Sequence, residues 1–161
     1  MNDDNSFLKE AFKLARESKD KGLRPFGAIL VDNNFNIVMK TYDMRDVIYD
    51  PTAHPEIYLI STYCKQKKKL NLAGYTLYSN IEPCSMCSGA IRSSRISKVV
   101  FSVPQSILRK YSGGKTVIDS KDILNFSRGQ IEIKGSLLLE EGIKIIEDYD
   151  FKKARLNGEK K

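Results

Sequence analysis

The chain has a single histidine, His54, two residues before Glu56, and downstream of it runs Pro83-Cys84-Ser85-Met86-Cys87. Two thiolates and one imidazole are the donor set of a tetrahedral zinc site that keeps its fourth position open for water, as a catalytic ion requires. Cys84 and Cys87 can reach one ion from a single turn at a helix start, where exposed amides and the helix dipole favour thiolate. Glu56, in the first turn of the helix that His54 opens, can reach a water on such an ion without ligating it, which is the position of a general acid/base. A lone Cys-x-x-Cys also serves as a redox pair, and a structural zinc is the other use of such a cluster. Structural sites prefer four protein ligands and have no use for the Glu56 carboxylate. The remaining thiol, Cys64, falls in the apolar rhythm of a helix and reads as core.

These residues need a scaffold, and composition bounds it. With 161 residues, 41% hydrophobic and 29% charged, the chain fits one domain, 1–161, with residues 152–161 as a basic tail. Three cysteines are an odd count, against an internal disulfide framework. No apolar run is long enough for a bilayer, and Met1 to Asn5 lacks the pattern of a signal peptide, so a cytoplasmic protein without membrane partners is expected. The net charge of +7 fits a nucleic-acid partner, but Lys65, Lys67, Lys68 and Lys69 read as a solvated loop.

Apolar spacing from Phe7 to Ala15 predicts a helix between Ser6 as N-cap and Gly22. Gly27–Val31 and Ile37–Met39 flank a turn and predict a hairpin. A second helix starts near His54, with Pro55 in its first turn. Tyr75–Ser79 reads as a strand, the Cys84–Ile91 segment as a helix, and Lys98–Phe101 and Ile131–Ile133 as further strands. A polar connection holding Gly113-Gly114 joins the last two strands, and Leu138, Ile145, Ile146 and Tyr149 mark a final helix. Strands alternating with helices predict a layered α/β domain.

The His-x-Glu and Pro-Cys-x-x-Cys pairing resembles the signature of zinc deaminases. Arg24-Pro25-Phe26-Gly27-Ala28, Asp50-Pro51-Thr52-Ala53-His54 and Glu82-Pro83-Cys84-Ser85-Met86-Cys87 are similar to motifs of the cytidine deaminase-like superfamily, in the branch of guanine, nucleoside and tRNA adenosine deaminases. The resemblance implies a three-layer α/β/α fold with a mixed five-stranded sheet, one zinc per subunit and a homodimer. It also implies release of ammonia from an aminated heterocycle, with Glu56 shuttling the proton. Phe26 resembles the free-base and nucleoside enzymes more than the tRNA editors, whose loop after the fourth strand the segment Gln105–Gly114 does not match. A small-molecule ring is therefore expected, with tRNA as the alternative and a non-catalytic zinc fold as the non-enzyme reading.

By the same resemblance, Phe26 and Phe151 are candidates to line the substrate ring, with core packing the other use of Phe26. Two positions depart from the family: Pro55 has no N–H to offer, and Asp43 stands where an asparagine is usual. Both changes remove donors, so the expectation is a substrate ring rich in amino groups.

Overall fold

The computed structural model describes residues 3–114, 118–125 and 130–154. Helix α1 spans Asp4–Asp20 and is followed by the antiparallel pair β1 (Gly27–Val31) and β2 (Ile37–Tyr42). A single turn, α2 (Arg45–Ile48), leads to α3 (Pro55–Lys67), β3 (Thr76–Ile81), α4 (Ser85–Ser93) and β4 (Lys98–Val103). Then come α5 (Gln105–Ser112), α6 (Ser120–Leu124), β5 (Glu132–Lys134) and α7 (Leu139–Ile146).

The five strands form one sheet in the order β2-β1-β3-β4-β5, antiparallel from β2 to β3 and parallel from β3 to β5, which is the mixed sheet expected. β1 is buried along its whole length because its side chains feed two cores. Ile29 and Val31 pack with Phe7, Leu8 and Phe12 of α1 and with Ile145 and Ile146 of α7. Ala28 and Leu30 pack with Leu59, Ile60 and Tyr63 of α3 and Ile91 of α4. Helices thus cover both faces, and a strand apolar on both sides reads as a continuous hydrophobic run. Gly27 marks the closest approach of these layers: a Cβ there would lie 2.6 Å from the Ala11 carbonyl oxygen of α1.

Several boundaries differ from the sequence reading. The N-cap of α1 is Asp3, whose carboxylate accepts from the Ser6 amide at 2.7 Å, so Ser6 is already inside the helix. Lys65 and Lys67 belong to the last turn of α3 rather than to a loop, and Lys68 closes that helix in the left-handed conformation. The connection between β4 and β5 is not merely polar chain: it contains α5 and α6. Cys64 is half-buried and packs against the second core. Residues 155–161 of the basic tail lie outside the described residues.

Candidate active site

The amino end of β1 and the carboxyl ends of β3 and β4 meet at one edge of the sheet, since β1 runs antiparallel to β3 while Ile81 pairs with Val103. Ligands in open α/β sheets bind at such an edge, outside the strand ends. Buried Asn80 fixes the entry to β1 there, accepting from the Gly27 amide and donating to the Pro25 carbonyl, both at 2.9 Å.

Three donors converge at this edge from two helix starts. His54 is the N-cap residue of α3 and Cys84 that of α4, with Cys87 inside the first turn of α4. His54 Nδ1 lies 3.6 Å from each sulfur, and the sulfurs are 3.5 Å apart. A tetrahedral zinc with its usual bond lengths has edges of roughly 3.8 Å between sulfurs and roughly 3.6 Å from sulfur to nitrogen. The donor set therefore fits this ion without rearrangement. A hydrogen bond from Cys87 and the neighbouring His54 hold the Cys84 thiol down at about 4, against the pull of burial. Cys87, bonded to the Cys84 thiolate and buried, is pushed well above the ordinary thiol range.

Glu56 is the second residue of α3 and is 5% exposed. Its Oε1 accepts from Ser79 Oγ of β3 at 2.8 Å, and its Oε2 lies 3.4 Å from Cys87 Sγ. Burial pushes its carboxyl above the ordinary value, with His54 opposing the shift. A carboxyl poised in this way, beside a cluster of metal donors and not part of it, can both accept and return a proton.

A cleft of about 170 Å³ opens over the cluster. Pro55 and Glu56 form part of its floor, and Phe26 and Phe151 part of its wall, their rings stacked with centroids 6.1 Å apart. Tyr149 braces Phe151 edge-on at 4.7 Å.

Asp43 is placed differently from the expectation. It does not line the cleft, is 1% exposed, and accepts from the backbone and guanidinium of Arg45 at 2.5 to 3.1 Å. The guanidinium of Arg45 reaches the cleft instead, 5.9 Å from the Phe26 ring centroid. A donor stands where a bare acceptor was expected, so the inference of an amino-rich ring from Asp43 does not follow.

The sequence reading also missed the residues that frame the cleft from the β4 side. Glu82, directly before Pro83-Cys84, is buried and accepts from the Gln105 amide at 2.9 Å and from the Ser120 amide and hydroxyl at 2.8 and 2.7 Å. It thus ties the starts of α5 and α6 to the metal-ligand loop. Its signal was present: an acidic residue beside a ligand loop has a charge that the fold must satisfy. Ser79, the partner of Glu56, carries no sequence signal beyond its place in a strand.

Residues 1–103 match the family described as the cytidine and deoxycytidylate deaminase zinc-binding region. A tRNA-specific adenosine deaminase of Aquifex aeolicus is 37% identical over 152 residues, covering 94% of this chain and 95% of the relative. A probable cytosine deaminase of Schizosaccharomyces pombe is 35% identical over 145 residues, covering 87% and 88%. Among solved structures, guanine deaminase from Bacillus subtilis superposes with a TM-score of 0.65 at 32% identity over 74% of each chain. The guanine deaminase of Nitrosomonas europaea, at 18% identity, shares the fold with a TM-score of 0.80, covering 92% of this chain and 85% of that one. The match to the zinc-binding region spans the donor cluster, Glu56 and most of the sheet that carries them, and the chain is a hydrolytic deaminase belonging to the cytidine and deoxycytidylate deaminase family.

Proposed function

We propose that the chain deaminates an aminated nucleobase ring, releasing ammonia, with His54, Cys84 and Cys87 holding one zinc ion per chain and Glu56 moving the proton. The observation that carries this reading is the placement of Glu56 Oε2 beside the donor cluster while Ser79 fixes Oε1. When bound, zinc supplies Lewis-acid activation of water at neutral pH. Glu56 takes a proton from the attacking water and returns it to the departing amino nitrogen, so that a carbon–nitrogen bond breaks and a carbonyl forms. Phe26 and Phe151 border the ring as a stacked pair, Pro55 bounds it without offering an N–H, and Asp43 serves by orienting Arg45 toward it.

The test is ammonia release by zinc-loaded protein across free bases, nucleosides, nucleotides and an anticodon stem-loop RNA. Glu56→Gln should keep the zinc and lose turnover by at least about a thousandfold, the larger end of what proton-transfer groups contribute. Unchanged turnover in that variant would refute the role of Glu56.

A second reading, adenosine editing in tRNA, is favoured by the Aquifex aeolicus relative, whose likeness runs through almost the whole chain. Turnover confined to the stem-loop, with steep salt dependence, would select it. The homodimer belongs to the same proposal: Val47, Ile48 and Tyr49 of the α2 turn and its cap expose apolar surface that a second copy would cover.

A further inference from the structure

Helix α5 presents one face to the cleft, where Gln105, Arg109 and Ser112 stand in successive turns at i, i+4 and i+7. Each keeps a buried polar atom with no partner among the described residues: Gln105 Oε1, Arg109 Nε and Ser112 Oγ. Gln105 is 6% exposed, and its amide nitrogen donates to the Glu82 carbonyl at 2.6 Å, while its oxygen has no partner among the described residues. Buried polar atoms are normally paired, and three left unpaired on one face of one cleft mark a place where a ligand supplies the partners.

The charges sort the same way. Arg24 is paired with Asp46 at 2.6 Å and Arg45 with Asp43 at 2.5 Å, whereas Arg109 has no ion pair among the described residues. Gly114 leaves room for it: a Cβ there would meet Arg109 Cδ and Nη1 at 2.6 Å. The cleft thus offers one acceptor near the metal-ligand loop and, one and two turns farther along α5, a guanidinium and a hydroxyl.

Resting on the deaminase reading, we propose that α5 forms a sugar–phosphate subsite and that the substrate is a nucleotide. Its base lies toward His54, Cys84 and Cys87, a sugar hydroxyl donates to Gln105 Oε1, and the phosphate is held by Arg109 and Ser112. A guanidinium fork suits phosphate better than a lone hydroxyl or amide would, through paired charge-assisted hydrogen bonds. The phosphate belongs either to a free mononucleotide or to the target nucleotide of a strand.

Binding to zinc-loaded Glu56→Gln protein, measured by calorimetry, tests this without turnover. The probes are adenosine, cytidine and guanosine, their 5′-monophosphates, and an anticodon stem-loop. At least one monophosphate should bind tenfold or more tighter than its nucleoside. Arg109→Leu should erase that difference, Arg109→Lys should retain part of it, and Lys110→Leu, which removes an exposed cation from the same helix, should leave it intact. Binding confined to the stem-loop and weakened tenfold by Arg109→Leu, but not by Lys110→Leu, supports the subsite and assigns the phosphate to a strand. Equal binding of nucleosides and monophosphates with a stem-loop indifferent to Arg109, or a phosphate gain that survives Arg109→Leu, overturns it. Arg109-dependent nucleotide binding with no ammonia release from any probe by zinc-loaded protein with Glu56 intact would instead refute the deaminase reading and leave the subsite standing.

Discussion

Ser79 Oγ donates to Glu56 Oε1 at 2.8 Å, joining the middle sheet strand to the first turn of α3 inside the protein. One carboxylate oxygen is thereby immobilised, and the other is left facing the donor cluster. Ser79→Ala should lower kcat about tenfold with little change in KM and no change in zinc content, because a hydrogen bond to a charged group contributes roughly 1.5–3 kcal/mol. Ser79→Thr keeps the hydroxyl and should recover most of the loss. A KM effect as large as the kcat effect would show that Ser79 shapes the cleft rather than orienting Glu56.

Asp43 and Arg45 should prove coupled. Asp43→Ala leaves a half-buried guanidinium without its carboxylate, which should cost about 2 kcal/mol, less than a fully buried pair, and raise KM as Arg45 swings out of the cleft. Arg45→Ala on top of it removes the orphaned charge, so the double variant should be more stable than the sum of the single losses. Additive losses in urea titrations would show that the pair does not interact.

The metal-free protein should show two unlike thiols. With Cys84 held at about 4 and Cys87 pushed far up, iodoacetamide should alkylate Cys84 at a rate nearly independent of pH between pH 6 and 8 and leave Cys87 unmodified. Zinc should protect Cys84, and its removal by a chelator should lower Tm, since the ion binds only the folded state strongly. Peptide mapping by mass spectrometry reads the first effect and calorimetry the second.

Acid should release the start of α1. Burial opposes ionisation of Asp4, but hydrogen bonds from Lys134, Lys98 and Tyr78 outweigh it and hold the carboxyl below its ordinary value. A lowered value in the folded state contributes stability that is complete above the ordinary carboxylate range and is lost as pH falls through the folded value. Asp4→Asn should therefore cost about 1 kcal/mol at pH 7, a figure discounted for the exposure of Lys134, and progressively less below pH 4. Parallel acid limbs for both proteins in urea midpoints would assign the acid sensitivity elsewhere.

The donor cluster and Glu56 were legible in the sequence because their chemistry demands particular residue types at short spacings, and because the strands and helices that carry them are strongly patterned. Helix α5 was not. Its buried face is Gln105 and Leu108, and a helix whose inward side is partly polar looks like connecting chain. Asp43 was found at the right place but with the wrong outlook: its distance along the chain from His54 says nothing of where a carboxylate turns, and Arg45, two residues on, captured it. The start of α1 was misread by three positions because serine and aspartate both cap helices, and only the hydrogen bond to the Ser6 amide tells them apart.

Glu82 gives this architecture a modular character. One carboxylate receives both the first residue of α5 and the first residue of α6, so the wall of the cleft is clipped to the metal loop at both helix starts, while Leu108 and Leu124 seat the two helices in the cores. Substitutions at the cleft-lining Arg109 and Ser112 can then change the wall of the cleft, provided that Gln105 and Ser120 still offer their amides to Glu82. The reaction chemistry on the other side of that carboxylate need not be touched.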